Sequence, residues 1–215
     1  MNARPILEKA FSDDDFHAKA AAVANAYTAC STYMRLSVVM SGFPVGLEQW
    51  PHLLRAFVDH SLMRMADARG EQYHHEIRWN AARNCRHVRV FKDKWAMTAH
   101  FLGSSNFRPG ARPAEHRQML AARNGELFPY EGDQLDVNTE GGYVQILHGG
   151  FGKKPAFIHL AIPSRDQQEW PAVMSLDIPP VELVEEEAIR DEMAMKLKQQ
   201  GGEDLQYVDT QEIAS

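Results

Sequence analysis

The sequence contains only two cysteines, Cys30 and Cys85, and no Cys-x-x-Cys pair. A disulfide framework of the kind that staples small secreted domains is therefore excluded, and so is a paired-thiolate metal knuckle. Free thiols are expected. Long apolar runs are missing too. None approaches the ~20 residues needed to span a bilayer. The most apolar early stretch, 20–40, is interrupted by Asn25, Thr28, Ser31, Thr32, Arg35 and Ser37. The first residues lack the apolar core and small-residue cleavage pattern of a signal peptide. These absences predict a cytoplasmic protein with no membrane partner.

Several chemical signatures are also lacking. There is no Gly-rich phosphate loop of either common type, no Gly-x-Ser-x-Gly and no His-Glu-x-x-His. The familiar marks of nucleotide-binding, serine-hydrolase and zincin chemistry are thus absent, although other enzyme classes stay open. No internal repeat or low-complexity tract interrupts the chain.

What is present is a globular composition. Of 215 residues, 44% are hydrophobic and 24% charged, enough to bury a core. The net charge of −6 conceals an uneven distribution. Residues 52–123 carry thirteen Lys/Arg against six Asp/Glu, and residues 124–215 carry six against eighteen. A +7 block beside a −12 block suits a phosphate-bearing or acidic partner, with the acidic segment as a second contact or a mask. The plainer reading is that the two blocks neutralise each other within one fold.

The pattern begins with helices. Ser12 followed by Asp13, Asp14 and Asp15 is an N-cap with acids in the first turn, where they meet the positive end of the helix dipole. From there to about Met40 the apolar residues Phe16, Ala20, Val23, Tyr27, Cys30, Met34 and Val38 recur at steps of three or four. A second helix is expected from Trp50-Pro51 through Leu54, Phe57, Val58, Leu62 and Met65, capped near Gly70. A third helical piece is expected over 71–84. The period then becomes two. Residues 87–91 and 95–102 read as a hairpin, and strands are expected over 143–148, 156–162 and 173–178. Between them, 104–132 holds three prolines and three glycines, with a short helix over 113–123. A final helix over 181–199 has glutamates early and lysines late.

The fold class expected is α+β. A helical N-terminal layer packs on a mainly antiparallel sheet of about five strands, with a C-terminal acidic helix. One domain over 1–199 is expected, divided into a helical part (1–85), a sheet part (86–180) and the helix at 181–199. An acidic tail over 200–215 follows.

Four groups of residues could carry chemistry. In Arg55-Ala-Phe-Val-Asp-His60 an arginine and a histidine lie five apart on a predicted helix. The spacing is similar to the Arg-x4-His motif of the helical HEPN ribonucleases. That resemblance implies catalytic roles, with Arg55 steadying a phosphate while His60 moves a proton. Five residues turn a helix by about 140°, however, so the pair does not share one face. The second group is Tyr73-His74-His75-Glu76 with Cys85 and His87, which are metal-ligand types at unfavourable spacing. No metal or other cofactor is assigned from it. The third is the acidic group Glu131, Asp133, Asp136 and Glu140, with Lys153 and Lys154 beyond the next strand. It could serve magnesium-dependent phosphodiester cleavage.

The fourth group is a basic stretch of Arg78, Arg83, Arg86, Arg89, Lys92, Lys94, Arg108, Arg112, Arg117 and Arg123, interleaved with Trp79, Phe91, Trp95 and Phe107. Arginines contact phosphates and aromatics stack on bases. Ten histidines are scattered along the chain, and His148 and His159, on expected strands, should be the most buried. The resulting reading is a non-catalytic binding protein, with nucleic acid or an acidic protein as partner. A phosphodiester hydrolase and a structural subunit of a larger assembly are the alternatives.

Overall fold

A computed structural model describes residues 4–37, 40, 44–80, 83, 85–103, 115–126 and 141–180. All of them fall in one unit, Met1–Val181. The expected acidic helix over 181–199 and the tail over 200–215 lie outside the described residues.

Four helices come first: α1 (Arg4–Ala10), α2 (Asp13–Leu36), α3 (Pro44–Glu48) and α4 (Trp50–Ala68). The start of α2 follows directly from its sequence. The Ser12 hydroxyl accepts from the Asp15 N–H at 3.2 Å, and the Asp15 carboxylate accepts from the Ser12 N–H at 2.9 Å. Two otherwise unpaired donors are thereby satisfied. The expected stripe on α2 is the buried one: Ala20, Val23, Tyr27, Cys30 and Met34 are all covered. The helix ends at Leu36, four residues earlier than Met40, because Ser37 turns to extended backbone. On α4 the buried positions are Trp50, Leu54, Val58, Leu62 and Ala66, at steps of four. Gly70, at φ 60°, turns the chain out of the helix.

The third helix expected over 71–84 is not there. Residues Tyr73–Trp79 form strand β1, an edge of the sheet. Tyr73, His75, Ile77 and Trp79 alternate with His74, Glu76 and Arg78, so a period of two was present beneath the polar composition. Pairing with the next strand decided between the readings. The helical part therefore ends before residue 73.

Six strands follow in chain order across one sheet: β1, β2 (Arg86–Lys92), β3 (Trp95–Phe101), β4 (Gly142–Gly149), β5 (Phe157–Ile162) and β6 (Ala172–Ser175). Four of the five pairings are antiparallel. The exception is β3 with β4, which run parallel. The sheet is mixed and has six strands rather than five. Parallel neighbours need a crossover, and the 102–141 connection supplies it with helix α5 (Glu115–Ala121).

Register assigns the faces. On the near face Tyr73, Val88, Val90, Trp95, Met97, Val144, Ile146, Ile158, Leu160, Ile162 and Ala172 meet α1, α2 and α4 in one core. On the far face a smaller cluster of Ala96, Leu120, Ala121 and Tyr143 seats α5. All eight residues of β4 are buried, as expected of a central strand covered on both sides. No helix among the described residues is long and apolar enough to cross a membrane.

Candidate functional site

The β2–β3 ladder is short. It holds only Lys92 with Trp95, Phe91 with Ala96, and Val90 with Met97. Beyond Val90 the two strands diverge, while β2 stays paired with β1 and β3 with β4. A cavity of about 420 Å³ occupies the gap. Near-face residues Val88, Ala99, Phe101 and His148 line it, as do far-face residues His87, Thr98 and His100, so it passes between the strands. Helix α4 closes one side with Pro51, Arg55 and Asp59, and α5 closes the other with Glu115, His116 and Arg117.

Divergence leaves β2 backbone groups without a strand partner, and α4 supplies them. Arg55 donates to the Arg86 carbonyl at 3.0 Å. The Val88 N–H donates to the Asp59 carboxylate. Arg55 and Asp59 lie 3.9 Å apart on successive turns. Burial pushes the Asp59 carboxyl up to about 6, against the pull of Arg55 and the Val88 N–H. This carboxyl of the pocket lining therefore takes up its proton about two pH units higher than an ordinary aspartate.

Four histidines converge here. His87 and His116 stack with ring centres 3.7 Å apart. Arg117, from α5, bonds His100 Nδ1. His148 Nδ1 meets the Tyr27 hydroxyl at 3.0 Å. Burial is the first cause that lowers each of these imidazoles. It brings His87 to about 4, with Arg89, Arg55 and Arg117 adding to it. His100, His116 and His148 fall to about 3. All four are neutral at physiological pH, beside arginines that remain charged.

The arginines also settle two tautomers. Arg89 donates its Nε–H to His87 Nε2 at 3.2 Å. Arginine has no acceptor, so Nε2 must accept and the ring proton sits on Nδ1. That Nδ1–H is buried and has no hydrogen-bond partner among the described residues. By the same logic the Arg117 contact places the His100 proton on Nε2.

The residues named from sequence are distributed unevenly around this site. Arg55 lines the cavity, whereas His60 is exposed and outside the lining. Arg117 lines it, and Arg89 stands behind His87. Arg78, Arg83 and Arg86 are exposed at the turn end of β1 and β2, with Arg86 4.5 Å over the Trp79 ring. Lys94 and Arg123 are exposed elsewhere. Lys92 is used structurally, paired with the buried Asp15. Arg108, Arg112 and the acidic group Glu131, Asp133, Asp136 and Glu140 lie outside the described residues.

The histidines proposed as ligands separate across the sheet. His74 stacks on Phe91 at 4.6 Å on the far face, while His75 reaches Asp67 at 3.1 Å. Among the described residues no group of three or more His, Cys, Asp or Glu is placed to hold a metal ion. His148 is buried as expected, and His159 is half-buried.

Sequence reasoning missed Asp59, His100 and His116 as site residues. A local signal existed for the last, since His116 and Arg117 precede Leu120 and Ala121 by four residues each, the spacing that puts both on the sheet-facing side of α5. The chain matches no family model, and no similar curated protein or solved structure was found.

Proposed function

We propose that this chain is a non-catalytic binding protein that meets a nucleic acid through its basic central region. The observation that carries the reading is the turn end of the β1–β2 hairpin, where Trp79 pairs with Arg86. Trp79 is 51% exposed, Arg86 lies over its ring, and Arg78 and Arg83 are exposed beside it. An uncovered indole among arginines offers stacking and phosphate contact together, the combination used for single strands. The acidic stretch 124–215 competes for the same cations as an internal mask.

Fluorescence anisotropy with labelled single- and double-stranded DNA and RNA across a salt series tests this. Each phosphate contact steepens the dependence of log affinity on log salt by about 0.7–0.9. Arg78→Ala and Arg86→Ala should each flatten the slope by about one contact. A slope near zero, or slopes unchanged by both substitutions, refutes the reading. Deleting 200–215 should tighten binding, and unchanged affinity refutes the mask.

A phosphodiester hydrolase is the second reading. It is supported by a neutral imidazole at His116 next to the Arg117 guanidinium, since a neutral imidazole can accept a proton. Gels run on the same samples would reveal cut product, and cleavage that persists in a His60→Ala variant would move the chemistry from the Arg55–His60 pair to the cavity.

A further inference from the structure

We propose that the cavity between β2 and β3 is a binding site for a phosphate monoester, held by the Arg55 and Arg117 guanidiniums and the His87 Nδ1–H. The proposal deepens the polyanion reading by naming a ligand class for the interior of the same basic region, and it can fail separately from the hairpin surface.

The argument rests on donors. His87 is 5% exposed, and among the described residues its Nδ1–H has no partner. A buried polar group without a partner costs about 1–3 kcal/mol, so one that persists in a pocket wall calls for an acceptor in the pocket. Arg89 enforces the donor state by occupying Nε2, and it does so from outside the cavity lining. His100 is held as an Nε2–H donor in the same way by Arg117.

Arg55 enters from α4 and Arg117 from α5, so the two cations reach the gap from opposite sides. Two carboxylates, Asp59 and Glu115, also line it. Asp59 is engaged with the Val88 N–H and Arg55, and Glu115 is exposed. The Arg55 and Arg117 guanidiniums and the ring N–H groups of His87 and His100 in the same lining are donors, which suits a group with several acceptor oxygens and negative charge. A phosphoryl group has three such oxygens and about two charges.

Volume and lining extend the ligand beyond phosphate itself. A cavity of about 420 Å³ is within the ~300–1,000 Å³ typical of small-molecule sites. Phe101 and the stacked His87–His116 pair add flat ring surface. The monoester could be a free small molecule or the phosphorylated end of a strand, and the two share one recognition chemistry.

The test uses the full chain. Long-range proton–nitrogen NMR of the imidazoles reads tautomers directly in the wild-type protein. His87 should show its proton on Nδ1, and that resonance should shift on titration with inorganic phosphate and, more strongly, with adenosine 5′-monophosphate. Calorimetry with the same nucleotide should show at least tenfold weaker binding in His87→Phe, which keeps the stacked ring and removes the donor, and in Arg117→Gln.

Oligonucleotides with and without a 5′-phosphate separate the sources. Tenfold preference for the phosphorylated strand assigns the site to strand ends, and equal binding of the two assigns it to the free monoester. No resonance shift with either phosphate in the wild type overturns the proposal, as does nucleotide affinity unchanged in both variants. Failure of the hairpin reading looks different, because Arg78→Ala and Arg86→Ala then leave the salt slope untouched while nucleotide binding to the cavity persists.

Discussion

Two clusters of cations lie on this sheet, and they are built to opposite rules. In the first, at the start of α2, Lys19, Arg69 and Lys92 surround one carboxylate. Asp15 receives Lys92, Arg69 at 2.9 Å and the Tyr73 hydroxyl at 2.7 Å. Lys19, fully buried, donates to the Asp15 carbonyl at 3.1 Å and to the Tyr73 hydroxyl at 2.8 Å. It also lies 4.2 Å from the Phe11 ring centre. In the second, around the cavity, Arg55, Arg89 and Arg117 face imidazoles and backbone carbonyls, and a donor is left over. The first cluster is closed on itself and ties α2 to β1 and β2. The second opens onto the cavity. Charge is at least half-buried at Asp15 and Lys19 in the first cluster and at Arg89 and Arg117 in the second, so what separates the two is the balance of donors and acceptors.

The largest effect expected is at the closed cluster. Asp15→Asn leaves Lys92, Lys19 and Arg69 around a neutral amide, which should cost about 3–5 kcal/mol in urea unfolding. A loss under 1 kcal/mol would mean that the cluster is not the lock described. The pH dependence has a definite sign. Burial opposes ionisation of Asp15, but Lys92, the Ser12 N–H, Tyr73 and Lys19 overcome it and hold the carboxyl well below its ordinary value of 3.8. Its contribution is present above that value and is lost as pH falls below it.

Asp59 should behave in the reverse direction. Its folded value of about 6 lies above 3.8, so the folded state holds the proton more tightly. The stability it contributes is complete at the acid end and is lost as pH rises through about 6. Asp59→Asn should therefore stabilise the protein by about 1–2 kcal/mol at pH 8 and leave it nearly unchanged at pH 4. Denaturant midpoints at the two pH values check this, and equal shifts at both would contradict it.

Lys19→Met sharpens the contrast within the closed cluster. Burial lowers the Lys19 ammonium to about 7, so the cation is carried at a cost. Asp15 keeps Lys92, Arg69 and Tyr73 when Lys19 is lost. The substitution should change stability by about 1 kcal/mol or less, and a loss near that of Asp15→Asn would show that Lys19 is indispensable.

Compared with Asp15, the open cluster should carry little stability. His87→Phe removes an unpartnered donor and keeps a ring of similar shape, but it also takes the acceptor from the Arg89 Nε–H, so unfolding free energy should fall by about 0–2 kcal/mol. A loss of 3 kcal/mol or more would give His87 a structural role and close the comparison.

Much of the fold could be read from pattern. The Ser12–Asp15 cap, the α2 and α4 stripes and strands β2 to β6 all follow from periodicity, since the same spacing that marks a helix face or strand face is the one buried. The failure at Tyr73–Trp79 is instructive. His74, His75, Glu76 and Arg78 made the segment polar enough to suggest a solvated helix, and only an edge strand tolerates that polarity on both faces. The parallel β3–β4 pair was equally hidden, because helices clustered before strands suggested a mainly antiparallel sheet. Of the site, Arg55 and Arg117 were named from sequence. Their separation by sixty-two positions gave no hint that both face one gap.

Outside Tyr73–Trp79, sequence by itself determined which segments become helix or strand, that α2 starts at the Ser12 cap and that the middle of the chain is basic, because these depend on neighbours within a few residues. Tertiary structure decided that β2 and β3 part beyond Val90, that α4 and α5 close the gap from either side, and that Arg89 turns His87 into a buried donor. Those features depend on strand order and on contacts between distant segments, and a tautomer is set by whichever partner the fold brings to the ring.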